Sequence, residues 1–453
     1  MNLHHLLQAR AAERRPVRIA LIGAGKFGSM FLAQARLTPG FHVALIADLD
    51  VEKARASLAA TGWPEELYGA SGLDDALKRG STWITEDTDA IFAAAQIEVV
   101  IDATGHPPSG IRHARLARQN GKHMVMVNVE ADALAGPLLA AEAAEAGLVY
   151  SLAYGDQPAL IAEMVDWART CGFPVVAAGK GTKYLPSYHE LTPDDVWEHY
   201  GITAEEAAKG GMNAQMFNSF MDGTKSAIEM AAVANACGLQ PAAGGLDFPP
   251  VGCDDLAEVL RPRSEGGVLA RKGQVEVISC LERDGRAIER DLRWGVYVVF
   301  EAPTSYAKRC FREYGLATDS SGRYTAMYKP YHLIGLELGI SVAHAALHGQ
   351  ATGAARDWRG DVVATAKRNL KAGEILDGEG GFTVWGRLSP AASSLAAGSL
   401  PLGLAQGVTL ARPVKKGQGL RWDDVILDAG DATLQCRREM EQRFAAAVEA
   451  AAE

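Results

Sequence analysis

Three stretches hold residues whose types and spacing suit chemistry. In residues 217–230 (FNSFMDGTKSAIEM), Asp222, Lys225 and Glu229 recur at intervals of three and four, which on a single helix places them on one face. A lysine so placed can polarise a carbonyl or protonate an alkoxide while Asp222 orients it. Phe217, Phe220, Met221 and Met230 argue against a solvated, salt-bridged face. In residues 180–186 (KGTKYLP), Lys180 and Lys183 lie in a Gly-rich stretch that reads as a flexible loop, suited to an anion such as a phosphate or equally to a plain solvated loop. In residues 327–332 (MYKPYH), Lys329 and its aromatic neighbours open an expected helix over 331–348 and form a candidate substrate wall.

Metal ligands are sparse. Glu130 and Asp132 follow an apolar run and offer hard oxygens for Mg²⁺ or Mn²⁺; as helix-start carboxylates they also suit the dipole. His344 and His348 are four apart without the HExxH glutamate, so core or interface roles are expected. The six cysteines form no CxxC pair and read as free thiols.

These groups need elements to position them. Residues 17–22 (VRIALI) form an apolar run that ends at Gly23, followed by Gly25, Gly28 and a helical pattern through Phe27, Met30, Phe31 and Ala35. A second run, 41–47 (FHVALIA), ends at Asp48. Strand, glycine turn, helix and strand-end carboxylate make a dinucleotide fingerprint. Gly23 permits the turn, Gly25 admits a pyrophosphate and Gly28 packs helix on strand, while the helix start, with Lys26 and Phe27, faces the phosphates. Asp48 is placed to accept from the ribose hydroxyls and favours NAD(H); Lys53 and Arg55 can offset its charge toward NADP(H). Strands expected at 97–101 and 123–127 bring Thr104, Gly105, His106 and Asn128 toward the nicotinamide end, with His106 equally readable as a turn residue beside Pro107 and Pro108.

The fold expected is α/β: a doubly wound parallel Rossmann sheet over 1–152, an α+β catalytic domain with a mixed sheet over 153–358, and a small β-rich domain with a closing helix over 359–453. Residues 62–80 fall outside the minimal pattern and read as an insertion. Two similar strand-plus-turn phrases, around Lys371/Gly373 and Lys416/Gly417, mark the last domain. With 453 residues and 48% hydrophobic content, several cores are expected. A net charge of −10 argues against nucleic-acid binding, and residues 388–411, broken by Pro390 and Pro401, do not read as a membrane helix. Residues 1–15 lack a signal-peptide core, so a soluble cytoplasmic protein is expected.

The ordered set LIGAGKFG (21–28), IADLD (46–50), MVNVEADA (126–133), YGDQPALI (154–161), GKGTKY (179–184), FNSFMDGTKSAIEM (217–230) and YKPYHLIGLE (328–337) resembles the homoserine-dehydrogenase-like oxidoreductases that carry a C-terminal SAF domain, over nearly the whole chain. The resemblance implies an NAD(P)-dependent enzyme, a homodimer, acting on a small phosphorylated or hydroxylated carbonyl compound. Within that group the chain is similar to reductoisomerase-like enzymes that convert 1-deoxy-D-xylulose 5-phosphate to 2-C-methyl-D-erythritol 4-phosphate in isoprenoid synthesis. Asp222 and Lys225 match an Asp and Lys beside the substrate carbonyl in homoserine dehydrogenases. Those enzymes have a Lys after the Asn that follows the fifth strand; here Asn128 is followed by Val129 and Glu130, which suits a metal-assisted ketose reaction better than homoserine oxidation. Alternatives are a dehydrogenase of another small hydroxy-aldehyde or hydroxy-acid, and a non-catalytic cofactor-binding sensor.

Overall fold

A computed structural model describes residues 2–209 and 212–450, the side chain of Ala208 aside. It divides into two units, one of residues 1–160 and 332–356, the other of 161–331 and 357–453.

The first unit is built on six strands: β1 (Val17–Ile22), β2 (Phe41–Ala47), β3 (Trp83–Thr85), β4 (Val99–Asp102), β5 (His123–Met126) and β6 (Tyr150–Leu152). They pair parallel in the order β3-β2-β1-β4-β5-β6, so the strand order reverses between β1 and β4. A doubly wound sheet opens a ligand crevice at that switch point, beyond the carboxyl ends of the strands. Ile19, Leu21, Ile46, Val99, Ile101 and Val125 are buried in its core, as the near-continuous apolar strands require. Residues 62–80 prove to belong to the crossover that delivers β3; a three-residue edge strand is too short for its pattern to be seen in sequence. The helix expected over 331–348 spans only Gly339–His348, and Val342 and Ala343 join the same core.

In the second unit β7 (Val175–Thr182), β8 (Gln274–Ser279), β9 (Val296–Glu301) and β10 (Tyr324–Lys329) pair as β10-β9-β7-β8, with β7 and β8 parallel and the other pairs antiparallel. This is the mixed sheet expected. Val176, Ile278, Tyr297 and Val299 fill its core with Leu256 and Leu269.

The β-rich portion holds β11 (Gly360–Ala366), β12 (Ile375–Asp377), β13 (Val384–Pro390), β14 (Gln406–Leu410) and β15 (Val425–Ile426). β11 pairs with β13, and β12-β14-β15 form a second small sheet. The two similar phrases pair with each other: Leu370 and Val414 exchange backbone bonds of 2.8 and 3.1 Å, while Gly373 donates to Leu410 and Gly417 to Ala366, each at 2.8 Å. The helix Ala432–Ala450 is anchored by Arg437, which is buried and meets Asp361 at 2.7 and 3.0 Å.

Candidate functional site

In the first unit the glycines divide their work. Gly23 takes φ +91°, and a Cβ there would lie 2.9 Å from the Ala103 carbonyl, so the turn after β1 fits only glycine. A Cβ at Gly28 would lie 2.3 Å from the Gly23 carbonyl, which is the close packing of helix on turn. Gly25, N-cap of the helix Lys26–Ala35, has nothing within 4 Å of its Cβ position. That open space lies over free helix N–H groups, where a pyrophosphate would bind. Lys26 is exposed and Phe27 half-buried in the first turn.

Asp48, half-buried at the end of β2, accepts from Ala24 N–H at 2.7 Å and Asp50 N–H at 3.0 Å, so it shapes the glycine turn itself. Arg55 is drawn to the Tyr68 carbonyl at 3.3 Å, while Lys53 is exposed. Beyond β4, buried Asp102 accepts from Thr104 N–H at 3.1 Å and its hydroxyl at 2.8 Å, and its other oxygen meets His113 Nδ1 at 2.6 Å. Asn128 donates to the His106 carbonyl at 2.9 Å and the Thr104 hydroxyl at 3.2 Å, and caps the helix Val129–Glu145 through Ala131 N–H. The structure thus brings Thr104, Gly105 and Asn128 together. His113 escaped the sequence reading: a lone helical histidine gives no signal of the strand-end carboxylate behind it.

The metal pair does not assemble. Glu130 and Asp132, two apart on the helix Val129–Glu145, point in different directions, since helix neighbours lie three or four apart. Asp132 is buried and accepts from the Tyr150 hydroxyl at 3.1 Å; burial pushes its pKa up to about 7, against the charged form a metal needs. Among the described residues no group of three or more His, Cys, Asp or Glu gathers to hold a metal.

In the second unit three expectations change. Residues 217–230 are not one helix but two, Ala214–Met221 and Thr224–Cys237, broken at Asp222–Gly223 with Gly223 at φ +91°. Asp222 and Lys225 therefore do not share a helical face. Asp222 accepts from Thr224 N–H at 2.9 Å and pairs with Lys367 at 2.8 Å, a lysine the sequence reading passed over. Lys225 is half-buried in the first turn of the second helix, and Glu229, one turn on, is buried.

The glycine–lysine stretch is not a flexible loop. Lys180 lies within β7, and a Cβ at Gly179 or Gly181 would sit 1.7 Å from the Glu276 carbonyl or 1.9 Å from that of Leu292. These glycines serve close backbone approach, and Lys180 is buried in an ion pair with Glu229. Lys183 donates to the His199 carbonyl at 2.5 Å; burial, then Arg293, holds its pKa below the usual lysine value. Lys329 ends β10 rather than starting a helix, its ammonium 5.6 Å from the Tyr331 ring centre.

Near the helix break, His189 Nδ1 lies 2.7 Å from the Asp222 carbonyl and Nε2 3.0 Å from the Tyr184 hydroxyl, with the ring stacked on Trp385 at 3.8 Å. Burial lowers its pKa, so the neutral ring donates from Nδ1 and accepts from Tyr184.

Residues 155–338 match the family described as oxidoreductase DRL, catalytic domain, and residues 361–426 match the SAF domain. The chain thus carries a segment similar to an oxidoreductase catalytic domain and one similar to a SAF domain. No curated protein matches the chain in sequence. Among solved structures, it is similar to myo-inositol dehydrogenase from Corynebacterium glutamicum (16% identity, 40% of this chain and 48% of that one, TM-score 0.27). It is also similar to myo-inositol dehydrogenase from Lactobacillus casei in complex with NAD(H) and myo-inositol (12%, 40% and 50%, TM-score 0.28). A third is biliverdin reductase from Synechocystis with biliverdin and NADP+ (18%, 38% and 48%, TM-score 0.26). The chain spans about half the length of the first structures it matches. Among the described residues no helix is long and apolar enough to cross a membrane.

Proposed function

We propose that the chain uses a nicotinamide dinucleotide to transfer hydride to or from a small hydroxy-carbonyl compound. The observation that carries this reading is the glycine turn at the β1/β4 switch point: Gly25 leaves room over a helix start, and the bonds of Asp48, Thr104 and Asn128 shape the crevice before any ligand arrives. The coenzyme supplies or takes the hydride. Lys225, in the first turn of its helix, protonates the alkoxide oxygen in reduction or receives that proton in oxidation. Lys183 and Lys329 offer cations for a phosphate or hydroxyl-rich tail of the substrate, and Lys180 with Glu229 holds the helix of Lys225 against β7.

The finer reading, reduction and rearrangement of 1-deoxy-D-xylulose 5-phosphate to 2-C-methyl-D-erythritol 4-phosphate, rests on the motifs shared with the reductoisomerase-like group. The separation of Glu130 from Asp132 favours the second reading, a dehydrogenase of another hydroxy-aldehyde or hydroxy-acid that needs no metal at those residues. The test is oxidation of NADPH and NADH, with Mg²⁺ or Mn²⁺ present, by the wild type and Lys225→Met with deoxyxylulose phosphate and with a panel of hydroxy-carbonyl compounds. Wild-type turnover that falls on the order of 10²–10⁴-fold in the variant, at unchanged coenzyme affinity, supports the role of Lys225. Turnover of the panel but not of deoxyxylulose phosphate discards the finer reading, and a fully active variant discards Lys225.

A further inference from the structure

The loop that follows β4, residues 103–106, is held from behind by a buried pair. Asp102, the last residue of β4, is fully buried, and its two carboxylate oxygens serve different partners. Oδ2 accepts from His113 Nδ1 at 2.6 Å, while Oδ1 accepts from the Thr104 N–H at 3.1 Å and the Thr104 hydroxyl at 2.8 Å. The Thr104 hydroxyl in turn accepts from Asn128 Nδ2 at 3.2 Å and from the His106 N–H at 3.4 Å. Asn128 also donates to the His106 carbonyl at 2.9 Å, and its Oδ1 accepts from Ala131 N–H at 3.2 Å. The polar atoms of the Thr104 and Asn128 side chains are therefore occupied in shaping the loop. What the loop turns outward is backbone. Gly105 is exposed at φ +64°, and among the described residues neither its N–H nor its carbonyl makes a hydrogen bond.

His113 is itself firmly placed. It is buried on the helix Pro107–Gln119, with its ring stacked on Phe92 at a centroid distance of 5.9 Å. Gly110, one turn before it, lets that helix approach Asn128: a Cβ there would lie 2.7 Å from Asn128 Nδ2.

We propose that His113 is a positioning residue for the nicotinamide–ribose half of the coenzyme, acting through Asp102 to present the free backbone of Gly105 to that half. The proposal rests on the reading that a dinucleotide lies across the β1/β4 switch point, and it assigns Thr104 and Asn128 to holding the loop rather than to touching the ligand. A buried carboxylate that loses its Nδ1 donor is left unsatisfied unless it turns toward another partner. Asp102 would then release Thr104, the loop would gain freedom, and ligand binding would have to order it again. The penalty falls on the nicotinamide half, because the glycine turn is fixed by other bonds, among them that of Asp48 with Ala24 N–H.

The test compares NADH with ADP, which shares its adenosine and pyrophosphate but lacks the nicotinamide riboside; NADPH and 2′-phospho-ADP are the equivalent pair if NADPH binds more tightly. Calorimetric titration of the full chain reads both affinities. In His113→Leu, NADH affinity should fall by about tenfold while ADP affinity stays within about twofold of the wild type. His113→Asn, whose Nδ2 takes the place of the imidazole Nδ1, should recover the loss. Thr104→Val breaks the same chain one bond further on and should narrow the same ratio, so the test stands if His113→Leu does not fold. Equal losses for both ligands would make His113 general scaffold, and an unmoved ratio would leave it no role; either overturns the proposal, as does a His113→Asn variant as weak as His113→Leu. Wild-type protein that binds neither ligand would overturn the placement of the dinucleotide itself, whereas ADP bound normally with an unmoved ratio overturns the role of His113 alone.

Discussion

Lys180 of β7 and Glu229 of the helix Thr224–Cys237 form an ion pair buried on both sides, with 7% and 4% of their side chains exposed. Two desolvated charges depend on each other, and removal of one leaves the other without its counter-charge. Lys180→Met should therefore lose about 3–5 kcal/mol of stability, and Lys180→Met with Glu229→Leu should regain most of it, as urea unfolding would show. A single variant as stable as the wild type, yet inactive, would move Lys180 from scaffold to chemistry.

At the glycine turn, two neighbouring substitutions should separate binding from folding. Gly25→Val enters open space, so its melting temperature should stay near that of the wild type while NAD(P)H binding, followed by nicotinamide fluorescence, is lost. Gly28→Ala places a methyl 2.3 Å from the Gly23 carbonyl and should lower the melting temperature instead. Unaltered coenzyme affinity in Gly25→Val would remove the pyrophosphate from this turn.

Asp48 shapes the glycine turn and is proposed to meet the coenzyme ribose, so Asp48→Ala should show two effects. Loss of its charge should raise the NADPH/NADH preference, and loss of its bond to Ala24 N–H should cost about 1 kcal/mol. A ratio that does not move would leave Asp48 only its turn-shaping role.

Asp132 should make stability depend on pH. Its pKa is raised from 3.8 to about 7 by burial, so the folded state holds the proton more tightly than the unfolded chain. The contribution is therefore fully present below the unfolded value near 3.8 and is lost as pH rises through about 7. Asp132→Asn should flatten this decline by about 4 kcal/mol at most, measured by urea unfolding across that range. A variant with the wild-type pH profile would show that Asp132 is not the group responsible.

The sequence alone determined what depends on neighbours along the chain. β1 and β2, the glycine turn and Asp48 were legible because apolar runs, tight turns and strand ends are local patterns, and a parallel sheet buried on both faces writes its strands as continuous apolar runs. The paired Lys–Gly phrases of the last domain were legible for the same reason. Gly179 and Gly181 misled, since glycine signals a flexible loop as readily as a strand whose neighbours come too close for a Cβ; only the Glu276 and Leu292 carbonyls, distant in sequence, decide between them. Asp222, Lys225 and Glu229 had the spacing of one helix face, but Gly223 turned the chain left-handed between them. The partner of Asp222 then came from Lys367, far along the chain in another domain. Tertiary structure decided that pairing because a buried carboxylate must find a counter-charge wherever folding brings one within reach, and no local pattern records which lysine that will be.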